Sequence, residues 1–240
     1  MAFELAEVTS DGDFDELIPL LWRAYSAEPR VTPLPLTFPA DDDSTAAREK
    51  QVAQCQAAMM HMHRSDATSH WLKVTNVATG KIIAGCRWHI HEKDPYSNAP
   101  DKPFGIPFWP EGDRKRYAEK IVGAIVQPRK TRYRKPHLSL QVIFTDPDYR
   151  NLGAGRMMLE WGTKKADEMG LESFVEASYL GSLLNQKFGF ITESKELVDT
   201  HVPDASDEWK DMETRFPPPP VYCMWRPVGG QYEENMSLPW

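Results

Sequence analysis

Arginine and glycine at positions 150, 153 and 155 carry the spacing with the most direct chemical meaning. The run Leu138-Ser-Leu-Gln-Val-Ile-Phe-Thr-Asp-Pro-Asp-Tyr-Arg150-Asn-Leu-Gly153-Ala-Gly155-Arg156 reads as an apolar strand, a Pro-Asp turn and a loop that opens a helix. The first N–H groups of a helix have no internal partners, and the aligned peptide dipoles place partial positive charge there. Glycines at 153 and 155 withhold side chains, so a pyrophosphate can approach those amides, with Arg150 and Arg156 adding charge. The same spacing also suits a strand-to-helix turn that needs small residues for packing. Two other phosphate loops are excluded. No Lys-Ser/Thr follows the second glycine, as Walker A requires, and the third small residue of a dinucleotide fingerprint is replaced by Met158.

Other reactive side chains are scattered. His89 and His91 share one face of a strand, opposite Trp88 and Ile90. There they are proton acceptors or relays if that face lines a cleft, and structural histidines otherwise. Asp146 precedes Pro147 as a turn residue, and Glu176 is expected to face solvent from its strand. Cys86, in an apolar strand, reads as a core thiol. His61 and His63 bracket Met62 on a helix and so do not share a face, which makes them poor metal ligands. No metal site and no Ser-His-Asp or Cys-His set is expected. The basic run Arg129-Lys130-Thr131-Arg132-Tyr133-Arg134-Lys135 reads as a solvated loop.

The elements that must hold these groups follow from periodicity. A helix starts near Asp13, its expected N-cap, with Glu16 reaching back to a free N–H. Phe14, Leu17, Ile18, Leu21, Trp22 and Tyr25 then form one apolar face. Prolines at 29, 33, 35 and 39 force a loop. A second helix is predicted from Ser44 to about Arg64, with Val52, Cys55, Met59 and Met62 inside. His70–Val77 and Lys81–His91 flank a turn-like link and predict an antiparallel hairpin. An excursion over 92–136 holds Tyr96, Phe104, Phe108 and Trp109. Its second part is predicted helical over 113–126, with Tyr117, Ile121, Ala124 and Ile125 on one side. Next come a strand at His137–Thr145, a helix at Gly153–Met169 and a strand at Leu171–Ala177. A short helix near Leu180–Phe188, a strand at Phe190–His201, a polar Pro-rich linker and a final strand at Val221–Arg226 complete the chain. This order predicts a mixed α/β fold, a sheet with helices on both faces and not a purely parallel doubly wound one.

Whole-chain properties bound the class. The 240 residues are 41% hydrophobic, enough for one domain over 1–240, with a core at 137–191, the insertion at 92–136 and a terminal linker and strand at 203–240. A net charge of −7 argues against a nucleic-acid protein. Three cysteines without metal-ligand spacing fit a reducing, cytoplasmic setting. Neither a signal peptide nor an apolar run of the ~20 residues needed to span a bilayer is visible, so no membrane association is expected.

Residues 137–191 resemble the GCN5-related N-acetyltransferase (GNAT) family, particularly its fungal small-molecule type. The family pattern V-x-P-x-x-R/Q-x-x-G-x-G appears as Thr145-Asp-Pro147-Asp-Tyr-Arg150-Asn-Leu-Gly153-Ala-Gly155, and its Tyr-x-x-x-Gly-Phe signature as Asn185-Gln-Lys-Phe-Gly189-Phe190. The resemblance implies the GNAT fold, with a mixed, mostly antiparallel sheet whose strands splay at the coenzyme A site. It implies acetyl-CoA as co-substrate and a small-molecule primary amine as acceptor. Amides of Arg150, Asn151, Leu152, Gly153, Ala154, Gly155 and Arg156 would hold the pyrophosphate. The backbone of Ile143, Phe144 and Thr145 would pair with the pantetheine arm, and an N–H near Phe144 or Thr145 would stabilise the oxyanion. Ser178 stands where the family has a pantetheine-contacting Asn, and Asn185 where it has the Tyr that protonates the thiolate. Tyr179 is the alternative phenol for that step, or a helix-entry aromatic, and His91 is the candidate base. Aromatics of the insertion would wall the acceptor, and the basic run could meet the adenosine phosphate or RNA. The alternatives to acetyl transfer are a non-catalytic acyl-CoA-binding protein and an acyltransferase with another acyl-CoA or acceptor. Oligomeric state is not readable from the sequence.

Overall fold

A computed structural model describes residues 2–27, 34–40, 42–97, 104–233, 236 and 238. Seven strands form one sheet: β1 (Phe3–Glu7), β2 (Ser69–Asn76), β3 (Ile82–His91), β4 (His137–Thr145), β5 (Glu172–Ala177), β6 (Ile191–Glu196) and β7 (Val221–Arg226), in the order β1-β2-β3-β4-β5-β7-β6. Every neighbouring pair is antiparallel except β4 and β5. That one parallel pair needs a crossover, which α6 (Ala154–Met169) supplies.

The two faces of the sheet have different covers because side chains alternate along each strand. Leu72, Cys86, Trp88, Leu138 and Val175 point to one face and pack against Met158, Leu159 and Ala166 of α6. The short helix α7 (Tyr179–Gln186) extends that layer over β5 to β7. The opposite face has two lobes. α1 (Phe14–Ser26) and α3 (Thr45–Ser65) cover it through Phe14, Leu17, Cys55 and Met59, against Trp71, Ile82 and Phe144. The helices of the insertion, α4 (Asp113–Val126) and α5 (Arg129–Arg132), make the second lobe with α8 (Asp207–Arg215). A small helix, α2 (Leu34–Thr37), joins the lobes through Leu36 and Phe38, the latter with its ring 4.9 Å from Phe108.

The mixed, mostly antiparallel sheet stands as predicted, with several local corrections. β1 was not anticipated; it is an exposed edge strand without a clear apolar alternation. Asp13 does not cap α1 by its side chain. Ser10 accepts from Gly12 N–H to cap a preceding 3-10 turn, Asp13 binds Lys73 Nζ at 2.6 Å, and Glu16 accepts from Ile82 N–H at 3.2 Å. Ala47 and Gln51 join Cys55 and Met59 inside α3, whereas Met62 is 40% exposed. In α4 the buried stripe is Tyr117, Ala118, Ile121 and Val122, and Ala124 is exposed. The strand expected to reach His201 stops at Glu196, and the supposed linker contains α8, capped by Ser206 Oγ on Trp209 N–H. No helix among the described residues is long and apolar enough to cross a membrane.

Candidate active site

The strand that leads into the glycine loop does two things at once. Over its first half β4 pairs with β5, from His137 opposite Glu172 to Leu140 opposite Val175, and there the pairing ends. On its other edge β4 stays paired with β3 to its last residue, Thr145 opposite Ala84. Between Leu140 opposite Trp88 and Val142 opposite Arg87 lies one extra residue, Gln141. An extra residue bends and twists the bulged strand. β4 therefore parts from β5 at Gln141, and the backbone groups of 141–145 on that edge have no strand partner. Of these, Ile143 meets the hydroxyl of Tyr25, whose burial at the end of α1 pushes the phenol up to about 12.

Past Thr145 the chain turns sharply. Asp146 accepts from Asp148 N–H and is itself fully buried, held by Arg23 at 2.8 Å and Lys81 at 3.3 Å. Asn151 and Gly153 take left-handed conformations, φ 61° and 102°, and Gly153 becomes the N-cap of α6 without a side-chain cap bond. The first intrahelical bond runs from Met157 N–H to Gly153 O. The amides of Ala154, Gly155 and Arg156 therefore have no carbonyl behind them, the arrangement that suits an anion. A Cβ on Gly155 would sit 3.1 Å from Leu184 Cδ2, so this glycine also lets α7 lie against α6. The two arginines expected to add charge are engaged elsewhere: Arg150 Nη2 donates to Ala24 O at 2.9 Å, and Arg156 binds Glu160 at 2.6 Å. Leu152 is 49% exposed at the tip of the turn.

Polar side chains line the parting on the two-lobed face. Arg129 donates to Glu176 from Nε at 3.0 Å and from Nη2 at 2.6 Å, and to Gln141 Oε1 from Nη1 at 2.6 Å. Gln141 in turn donates to Ser139 Oγ at 2.9 Å. Arg129 was expected in a solvated loop and Glu176 facing solvent; instead they form a bidentate pair, with Glu176 6% exposed. Beside them runs a row of imidazoles. Asp66 and Thr68 reach His89 Nδ1 at 3.4 and 3.2 Å, His89 lies 5.6 Å from His91, and His91 lies 4.9 Å from His137. His137 Nδ1 donates to Lys135 O at 2.7 Å. Burial lowers all three, His89 (with Arg87's charge adding to the effect) to about 3 and His137 to about 4, so each is neutral at pH 7. In register, His89 faces Ser139 near the bulge and His91 faces His137 at the far end of β4.

The residues of the short helix are placed less simply. Ser178 Oγ accepts from Gly181 N–H at 3.2 Å and so caps α7. Tyr179 is 58% exposed with its ring 6.0 Å from Tyr222. Asn185 is buried in the core and turns its Nδ2 to Met224 Sδ at 3.9 Å. A cavity of about 300 Å³ opens between α4–α5 and β5–β7, lined among others by Ile125, Arg132, Tyr133, Glu176, Val198 and Cys223. Of the insertion's aromatics, Tyr133 lines it, whereas Tyr96, Phe104, Phe108 and Trp109 do not. Phe104 and Trp109 pack within their own lobe, where Trp109 Nε1 donates to Leu36 O at 2.6 Å, and Phe108 packs both there and against Phe38. Sequence reasoning missed Arg87, Arg129, Gln141 and Tyr25 as site residues. No group of three or more potential metal ligands occurs among the described residues.

A family model described as acetyltransferase (GNAT) family matches residues 41–190. Solved structures similar to the chain include arylalkylamine N-acetyltransferase 2 from Aedes aegypti, at 13% identity and TM-score 0.60, covering 95% of this chain and 100% of that one. A mosquito arylalkylamine N-acetyltransferase like 5b matches at 13% identity and TM-score 0.58, with 94% and 99% covered. The polyamine N-acetyltransferase of Drosophila melanogaster, which forms N-acetylagmatine, matches at 14% identity and TM-score 0.54, with 93% and 99% covered. No curated protein matches the chain.

Proposed function

The chain belongs to the acetyltransferase (GNAT) family, and from that premise we propose that it moves acetyl from acetyl-CoA to a primary amine of a small molecule by direct attack. One observation carries this reading. The bulge at Gln141 parts β4 from β5, and the strand then leads through the turn at 146–153 into a helix whose first three amides have no partner among the described residues. A thioester arm needs unpaired backbone on one side and a pyrophosphate cradle at its end, and the residues present fit both needs. The neighbours that act on arylalkylamines and on a polyamine support a small amine as acceptor.

Acetyl-CoA, when bound, supplies an activated acyl group on a thiol leaving group. Amides of Ala154 to Arg156, with the turn from Arg150, are assigned to the pyrophosphate. The edge of Ile143, Phe144 and Thr145 without a strand partner, where Tyr25 meets Ile143, is assigned to the pantetheine arm, and an N–H near Phe144 or Thr145 to the oxyanion. The histidine row, neutral at pH 7, takes the amine proton away from the bulge toward solvent, with His91 as its outer member. Tyr179 is the phenol assigned to the thiolate, since Asn185 can donate a hydrogen bond but not a proton. The thiol's ordinary pKa of about 8.5 lets the thiolate leave near neutrality with modest help.

Calorimetry with acetyl-CoA and a thiol-release assay over an amine panel test this together. Binding and amine-dependent release are expected, both abolished by Gly155→Trp, which fills the cradle. Tyr179→Phe should lower kcat at pH 7 by about 10-fold or more; an unchanged kcat removes the phenol from the mechanism. His91→Ala should flatten the acid limb of kcat/KM, which for the native chain falls below the ordinary histidine value because burial lowers His91. A second reading, a non-catalytic acyl-CoA-binding protein, is favoured by the buried Asn185 at the family's acid position. Binding without release for any amine would establish it.

A further inference from the structure

Arg87 has no part in the proton or acyl steps above, yet it stands at their centre. It lies on β3 opposite Val142, next to the bulge, on the two-lobed face of the sheet. Its Nε is shut off from solvent and lacks a hydrogen-bond partner among the described residues. Nη1 reaches Met59 Sδ at 3.7 Å, and the Trp71 ring lies 5.7 Å from Cζ. Neither neutralises a guanidinium. Other arginines of this fold close on carboxylates: Arg129 on Glu176, Arg226 on Asp167, Arg23 on Asp146 and Asp148. Among the described residues Arg87 closes on none. A charge taken out of water is normally retained only with an opposing charge and hydrogen bonds around it.

The surroundings strengthen the case for an anion from outside. Asp66 tempers the field at Arg87, whereas Arg129 adds to it. Burial and Arg129 bring Arg87 down to about 10, so it stays cationic at neutral pH. The residue itself keeps partial exposure, as do His89 and Gln141. The parting begins at the neighbouring strand, about 4.8 Å away, within the length of an amino-acid backbone.

We propose that Arg87 receives a carboxylate on the acceptor, so that the substrate is an amino acid or similar amino carboxylate and not a polyamine. The inference rests on the acyl-transfer reading of the slot and names its substrate class. The planar fork of arginine matches two carboxylate oxygens. A polyamine would instead bring a second ammonium toward Arg87, where like charge disfavours it.

The test uses matched acceptors in the thiol-release assay: phenylalanine against 2-phenylethylamine, lysine against 1,5-diaminopentane, and methionine against 3-methylthiopropylamine. At least one amino acid is expected to exceed its decarboxylated partner in kcat/KM by roughly 10-fold or more, the size of a charge-assisted contact. Arg87→Gln should bring that ratio close to one, and Arg87→Lys should retain part of it. Acetyl-CoA calorimetry on each variant reports that the fold and cofactor site persist. A native preference for the decarboxylated partner, or an unchanged ratio in Arg87→Gln, overturns the inference and leaves acyl transfer standing. Failure of the native chain to bind acetyl-CoA overturns both; binding without turnover of any pair overturns the amino-carboxylate acceptor and leaves the cofactor site intact.

Discussion

Glu176 accepts two hydrogen bonds from Arg129, and Arg129 gives a third to Gln141, so one carboxylate holds together the strand edges that flank the parting. Glu176→Gln keeps the shape but leaves Arg129 unpaired with 17% of its side chain exposed. Removing one partner of a buried pair costs about 3–5 kcal/mol, because the remaining charge is left without compensation. A loss near 3 kcal/mol is expected in urea unfolding, given the exposure of Arg129, with a fall in acyl transfer beyond that of thermal loss. A stability change below about 1 kcal/mol would mean that water satisfies the guanidinium. None of this was legible from the sequence. Residues 129 and 176 are 47 positions apart, and a basic run beside a strand looks solvated until the register is known. The glycines were legible for the opposite reason, since Gly153 and Gly155 act through local backbone geometry. Asn185 was readable as a departure from the family, but not as a side chain turned into the core on Met224.

Among the elements, α6 shows what sets the site's position. It begins at Gly153 and ends at Gly170, both left-handed, so its length is fixed by two residues that tolerate positive φ. Its height above the sheet is fixed by a third glycine. Trp88 on β3 donates through Nε1 to Met158 O at 3.3 Å, and a Cβ on Gly162 would collide with the Trp88 ring. Gly162→Ala must therefore lift α6 from the sheet or displace the indole. Overpacking of this kind costs about 1–3 kcal/mol, only partly offset by about 1 kcal/mol of helix propensity. The expected result is a lower melting temperature and weaker acetyl-CoA binding, because the free amides move with the helix. Wild-type affinity in a folded variant would show that the cradle tolerates the shift. β3, β4, β7 and α6 were legible because apolar runs or helical spacing mark them in the sequence. The bulge at Gln141 was not, since Leu138 to Thr145 reads as an uninterrupted strand. Helices α2 and α5 are four residues long, too short for a periodicity, and α8 buries only Trp209 and Met212 in a polar stretch.

At the scale of the molecule, the proposed cofactor cradle and the proposed acceptor floor lie on opposite faces of one sheet, with the parted strands between them. Such an arrangement works only if the layer carrying α6 keeps a fixed relation to the strands beyond β5. A latch at the end of the chain supplies that relation. Arg226 on β7 binds Asp167 on α6 at 2.7 and 2.9 Å and donates to Phe188 O at 2.7 Å, while Gly229 N–H adds a bond to Asp167 at 3.0 Å. The Arg226 guanidinium beside it holds the Asp167 carboxyl below its ordinary range. A carboxyl lowered on folding contributes stability that is present above its unfolded value of about 3.9 and is lost as pH falls through the folded value. Because Asp167 is 39% exposed, solvent screens the pair, and about 2 kcal/mol is a reasonable size for its removal. Asp167→Asn should therefore be less stable than the native chain by a constant amount from pH 5 to 8, and the two curves should converge as the pH drops below 4. Denaturation midpoints measured across that range decide the matter. Curves that stay parallel down to pH 3 would assign the loss to the neutral hydrogen bonds of residue 167, and the latch would then hold the two layers together without its charge.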